Sequence, residues 1–222
     1  MIHFITLYSQ TFSKKEVRLK NIINGIYPQY IYHAIDLNEY YFGTRYTEEN
    51  KFNYYSFKPE LIYEYASSIK KGDIIIYIDT NDVPKPGLAE YIEKKLKDNR
   101  TDLLVSGTNY FHKRMQHPDT KLFFNNIFRY ISSYTLQPEA GCIAFQNSGQ
   151  LREKLLNWLQ YTRYIAKLNH INPSPLSRHD QEALTYTLIQ TSGNRKENWY
   201  IWKFLKFSGL RSYIDFEGNR HD

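Results

Sequence analysis

Ile74-Ile75-Ile76-Tyr77-Ile78-Asp79-Thr80-Asn81-Asp82 is the stretch that decides the reading of this chain. The apolar, β-branched run follows a Lys71-Gly72-Asp73 turn, and Pro84 comes soon after it. Bounded by breakers in this way, it reads as a short, fully buried strand. It ends abruptly in two carboxylates and an amide. A carboxylate at the end of a strand stands on backbone that the sheet holds still. Hard divalent cations such as Mg²⁺ and Mn²⁺ take oxygen ligands and share them with substrate phosphates. Asp79 and Asn81 have an Asp-x-Asp-like spacing, which sets two side chains on one side of an extended segment. Asp82 is one residue out of phase and reaches the same place from a turn. The run Asp-Thr-Asn-Asp-Val-Pro also suits a plain turn with no chemistry.

Outward from this strand, apolar runs alternate with helical patterns. Ile2–Tyr8 reads as a buried strand. Lys14–Ile26 has a partial helical period in Val17, Ile22, Ile23 and Ile26, and Pro28 stops it. Gln29–Ile35 is a second strand, and Leu37–Asn53 a loop. Tyr54–Lys70 is a helix with Pro59 in its first turn, where a missing N–H costs least. Pro86–Asn99 is a helix that turns Leu88, Tyr91, Ile92 and Leu96 inward. Asp102–Ser106 is a strand, Gly107–Thr120 irregular, and Lys121–Ile131 helical. Gly141–Phe145 is a strand. Ser148 caps a helix whose Leu151, Leu155, Trp158 and Leu159 share one face. Arg178–Gln190 is the last helix, and an aromatic, basic tail follows from Ser192.

Strands alternating with helices predict an α/β fold, a mostly parallel sheet flanked by helices, in a single domain over 1–222. In such sheets ligands bind beyond the carboxyl ends of the strands, where Asp79 stands. The chain has 29 Lys and Arg against 23 Asp and Glu, a net charge of +6. That balance suits an anionic small ligand, a membrane surface or nucleic acid. The basic residues are spread along the whole chain with no stripe or module, which argues against nucleic acid as partner. The single cysteine, Cys142, excludes a disulfide framework and a cysteine zinc cluster. No apolar stretch reaches the ~18 residues of a membrane span. The N-terminus has neither a basic start nor a small-residue cleavage site. The expectation is a cytoplasmic protein, with peripheral contact at the inner face of the cytoplasmic membrane.

Four motifs occur in order, the Ile-rich strand with its turn among them. Tyr54-Tyr55-Ser56-Phe57-Lys58-Pro59 precedes the Lys71-Gly72-Asp73 turn and the Ile-rich strand. Glu139-Ala140-Gly141-Cys142 precedes the Ser148 helix, and Arg178-His179-Asp180-Gln181 opens the last helix. Together they resemble a family of bacterial GT-A glycosyltransferases found with capsule and lipopolysaccharide genes. That resemblance implies a Rossmann-like GT-A domain that moves a sugar from a nucleotide-sugar donor to a glycan or lipid-linked glycan acceptor, with Mn²⁺ or Mg²⁺ as cofactor. It implies metal binding at Asp79, with Asn81, Asp82 and a late histidine, His221, as further ligands. It implies donor contacts from Thr6, Lys58, Asp79, Asn81, His179 and Gln181, with Lys58 on the phosphates. Asp180 and Glu139 are the implied catalytic carboxylates, and His179 serves as ligand or as packing residue. One departure matters. The family's acid four positions after the first Asp is Val83 here, and Asp82 stands one place earlier, so the second metal ligand stays open. A non-catalytic binder of nucleotide sugars or glycans with the same fold is the alternative.

Overall fold

The computed structural model describes residues 1–37, 39, 57–98, 102–111, 116–120, 136–172, 174, 179–191 and 210–216. The Ile-rich run is strand β3, Ile74–Ile78, and all five of its side chains are buried. It is the middle strand of a five-stranded sheet. On one side lies β1, Ile2–Tyr8, with β2, Ile31–Asp36, at the edge. On the other lies β6, Leu136–Gln146, with β5, Leu103–Phe111, outside it. β2, β1 and β3 are parallel, and β6 is antiparallel to both its neighbours. Four strands therefore run in one direction and β6 alone is reversed. The sheet is mostly parallel, as the alternation of patterns predicts.

Side-chain alternation splits β3 between two cores. Ile75 and Tyr77 face one cluster, built with helices α2 (Phe57–Ser68), α4 (Gly149–Ile171) and α5 (His179–Thr191). Ile74, Ile76 and Ile78 face the other, built with α1 (Ser13–Ile26) and α3 (Leu88–Asp98). Helices on both faces explain why the strand is apolar at every position rather than at every second one.

The helix ends follow local chemistry. Ser148 accepts from the Leu151 N–H and caps α4. Gly72 has φ +95°, a left-handed value that suits glycine in the turn before β3. Asn147 then ties this turn to the end of α2. Its side-chain amide donates to the carbonyls of Ala66, Ile69 and Lys70 at 2.9, 3.1 and 3.1 Å, while its backbone bonds Asp73 and Gly72. Asn147→Ala leaves the buried Ala66 carbonyl without this donor, and the half-buried Ile69 and Lys70 carbonyls as well. The expected loss is about 1–3 kcal/mol, read as a lower urea midpoint with unchanged m.

Three differences from the sequence reading bear on the site. Strand β5 continues through Gly107–Phe111, a stretch the composition marks as irregular. β6 starts five residues before Gly141. The register between them breaks, since Val105 pairs with Ile143 but Gly107 with Pro138, leaving extra residues on β6 around Glu139–Cys142. Third, the segment after Asp79 turns directly into a short strand, β4, Asp82–Pro84. It pairs with β7, Ile214–Phe216, far along the chain. Strands of three residues are too short to show a period, so neither was visible in the pattern. Residues 54–56, the helix expected at 121–131 and the tail at 192–209 and 217–222 lie outside the described residues. No helix among those described is long and apolar enough to cross a membrane.

Candidate active site

Lys58 is the second residue of α2, next to Pro59 in the first turn, and its side chain is only 6% exposed. A buried ammonium is costly unless it is paired. Here Nζ donates to the Ala140 carbonyl at 3.0 Å, and it lies 3.4 Å from Asp79 Oδ1 and 3.2 Å from Asp180 Oδ2. It also sits 5.1 Å from the centre of the Tyr77 ring. One cation thus gathers the end of β3, the irregular part of β6 and the first turn of α5. Burial by itself favours the neutral amine, but Asp79 and Asp180 outweigh it and hold Lys58 well above its ordinary range. The lysine stays charged.

Asp79 is the member of this trio that meets water. Its side chain is 38% exposed, against 7% for Asp180. Enclosure of its inner edge pushes its carboxyl up; Lys58 and the Tyr77 hydroxyl oppose this, and Asp180 adds to it. Oδ1 receives the Tyr77 O–H and faces Lys58. Oδ2 faces the other way, toward Gly141. A Cβ placed on Gly141 would lie 2.5 Å from Asp82 Oδ2 and 3.3 Å from Asp79 Oδ2. The two carboxylates therefore converge over a glycine that leaves them room. Backbone bonds set this approach, Asp79 N–H to Gly141 O at 2.7 Å and Asp82 N–H to Asp79 O at 2.9 Å. Two converging carboxylate oxygens, one on the half-exposed Asp79 and one on the buried Asp82, fit a hard divalent cation whose other positions go to phosphate and water. Among the described residues, no three His, Cys, Asp or Glu side chains gather as a ligand set. His221 lies outside them.

No family model matches the chain, and no curated protein matches it. Solved structures do. The galactosyltransferase LgtC, in complex with donor and acceptor sugar analogs, aligns over 98% of this chain and 87% of its own, with a TM-score of 0.54 at 9% identity. Mouse xyloside xylosyltransferase 1, in its apo form, aligns over 99% of this chain and 98% of its own, with a TM-score of 0.52 at 12% identity. The fold is that of the GT-A glycosyltransferases.

Within this GT-A fold the other expected residues fall into place unevenly. Asp180 is held twice, by Lys58 through its carboxylate and by the Trp158 indole N–H, which donates to its carbonyl at 2.7 Å. His179 is buried beside it at the start of α5. Gln181 follows, with its amide oxygen buried. Glu139 lies on β6 and accepts from the Ser106 hydroxyl at 2.7 Å. Thr6 is fully buried, and its hydroxyl donates to the Ile78 carbonyl at 2.6 Å, directly before Asp79. Asn81 turns its amide oxygen to Lys15, which donates from the first turn of α1 at 2.5 Å. Arg178 lies outside the described residues.

Three participants were given no role of their own in the sequence reading. Lys15 sits in a run of surface-type lysines with nothing to set it apart. Tyr77 was visible as the one polar-tipped residue in the Ile run. Gly141 was visible as a motif, but its role as the floor beneath two carboxylates depends on the broken register of β6.

Proposed function

We propose that this chain is a glycosyltransferase that moves a sugar from a nucleoside diphosphate donor to a glycan or lipid-linked glycan acceptor. One observation carries the reading: at the carboxyl end of the central strand, a buried lysine joins Asp79 and Asp180 while Asp79 and Asp82 converge over Gly141. Asp79 and Asp82 are the residues to hold Mn²⁺ or Mg²⁺, and a cation held there neutralises charge on a leaving diphosphate. Lys58 fixes the angle of Asp79 and keeps a positive charge beneath the site. Asn81 steers Lys15, a second cation, to the rim. Thr6 locks the strand end under Asp79 and acts through it. Asp180, clamped by Lys58 and Trp158, orients the transferring sugar. Glu139, poised by Ser106, takes the acceptor hydroxyl. A role in surface polysaccharide synthesis at the inner face of the membrane rests on the motif resemblance. Val83, in the place of that family's second acid, favours a second reading, a protein of this fold that binds nucleotide sugars without transferring them.

Thermal unfolding with UDP-, GDP-, CMP- and ADP-sugars, with and without Mn²⁺, tests the proposal. A donor at 100 times its Kd stabilises the fold by about 2.7 kcal/mol. The expected result is a Mn²⁺-dependent shift with one nucleotide class, lost in Asp79→Asn and Asp82→Asn. No shift with any donor, or an undiminished shift in Asp79→Asn, overturns the proposal. Transfer or hydrolysis of the bound donor separates the two readings.

A further inference from the structure

Gln137 is fully buried on β6, and neither its amide nitrogen nor its amide oxygen has a hydrogen-bond partner among the described residues. Buried polar side chains in native proteins nearly always find partners, and an unmet one costs stability. Gln137 is unmet at both ends, in a region otherwise well bonded. Ser106 meets Glu139 on the neighbouring strand, and Lys58 meets the Ala140 carbonyl.

Its place in the fold gives this meaning. The last pair between β3 and β6 joins Ile78 to Cys142, so residues 136–141 run on past the end of β3, alongside Asp79. Gln137 is two residues from Glu139 and three from Ala140. At about 3.3 Å per strand residue, it lies within about 10 Å of the carbonyl that anchors Lys58. A second amide atom, Gln181 Oε1, one residue after Asp180, is also buried without a partner among the described residues. Both orphaned amides thus belong to elements that meet the charged trio, β6 through the Ala140 carbonyl and α5 through Asp180.

The chemistry of a primary amide narrows the ligand. It offers two N–H donors and a carbonyl acceptor. A phosphate has only acceptors and leaves the carbonyl unmet. An apolar group meets neither end. A carbohydrate, whose hydroxyls both donate and accept, meets both; the edge of a nucleobase does too, and the nucleoside diphosphate arm of the test tells the two apart. We infer that Gln137 is a sugar-binding residue, its amide paired with hydroxyls of a bound saccharide. This rests on the transferase reading and adds to it a residue that selects the sugar rather than the nucleotide. The sugar is that of the donor or that of the acceptor.

Gln137→Met and Gln137→Leu test this, because both keep bulk and remove the polar ends. A structural glutamine loses stability on such a change. A ligand-binding glutamine left unmet in the free protein keeps or gains it. The expected result is an unchanged or higher Tm without ligand, together with weaker sugar binding by about tenfold, the effect of one lost buried hydrogen bond. If the donor sugar is the partner, affinity for the nucleotide sugar falls while affinity for the matching nucleoside diphosphate stays. If the acceptor sugar is the partner, the acceptor KM rises while the donor KM stays. A lower ligand-free Tm in both variants overturns the inference, and so does wild-type behaviour toward both sugars or an equal loss of affinity for the nucleoside diphosphate; the transferase reading survives each of these outcomes. A wild-type protein that responds to no nucleotide sugar overturns both.

Discussion

Lys58→Met is expected to cost about 3–5 kcal/mol of folding stability and to abolish donor binding. The substitution keeps bulk and removes the charge, leaving Asp79 and Asp180 facing each other across the space that the ammonium bridged. Removing one partner of a buried ion pair strands the other charges, which costs far more than the pair's net worth. The contribution of Asp79 falls at the low end because its carboxylate is partly solvated. The Ala140 carbonyl also loses its donor. Urea denaturation reads the loss as a lower midpoint.

The pH dependence of the same variant has a definite sign. In the wild type, Lys58 is held above its ordinary range, so its contribution is fully present below its unfolded value. It is lost only as pH rises through the folded one, far on the alkaline side. In Lys58→Met, nothing from the lysine opposes burial and Asp180 in pushing the Asp79 carboxyl up. A folded carboxyl above its unfolded value binds more protons than the unfolded chain within that window, so stability falls as pH rises through it. The deficit of the variant therefore shrinks as the solution is taken from about pH 7 to about pH 5, toward the unfolded carboxylate range. Adding Asp180→Asn to Lys58→Met is expected to return part of the loss, because it removes one of the two opposed charges. A deficit that stays constant with pH and ignores the second substitution would show that Lys58 acts by packing alone.

Gly141→Ala is expected to reduce donor turnover by about a hundredfold or more, the usual effect of misplacing a site group by an ångström. The added methyl would stand 2.5 Å from Asp82 Oδ2 and 3.3 Å from Asp79 Oδ2, closer to the first than carbon and oxygen approach. Asp82 is buried in β4 and its backbone is paired with β7, so its carboxylate must swing out of the shared position. The cost in stability is smaller, about 1–3 kcal/mol for overpacking. The contrast is the test. Mn²⁺-dependent donor stabilisation should vanish in a protein that still folds cooperatively. Wild-type Mn²⁺ dependence in Gly141→Ala would separate Asp82 from the metal and return that place to another ligand.

Much of this architecture was legible because it is local. Five consecutive apolar residues between a Gly-Asp turn and a proline read as β3, and burial of all five confirms a strand covered on both faces. Ser148 announced α4 through its cap, and Pro59 announced the first turn of α2. Asp79 was named because it stands at a strand's carboxyl end, on backbone that the sheet holds still; Lys58 and Asp180 were named through the motif resemblance. The reversal of β6 was hidden, since an apolar strand between two others looks alike in either direction. The pairing of Asp82–Pro84 with Ile214–Phe216 was hidden too, because strands of three residues carry no period.

The sequence by itself determined the alternation of strands and helices, the acid at the end of the central strand, and the charged residues at the helix starts. These depend on neighbours a few positions away, through periodicity, capping and turn chemistry. Only the tertiary structure decided that Lys58 would lie between two carboxylates, that Gly141 would leave Asp79 and Asp82 their common space, and that Gln137 would be buried with no partner among the described residues. Those facts depend on strand register and on contacts between distant segments, where a slip of one residue would turn every side chain to the opposite face.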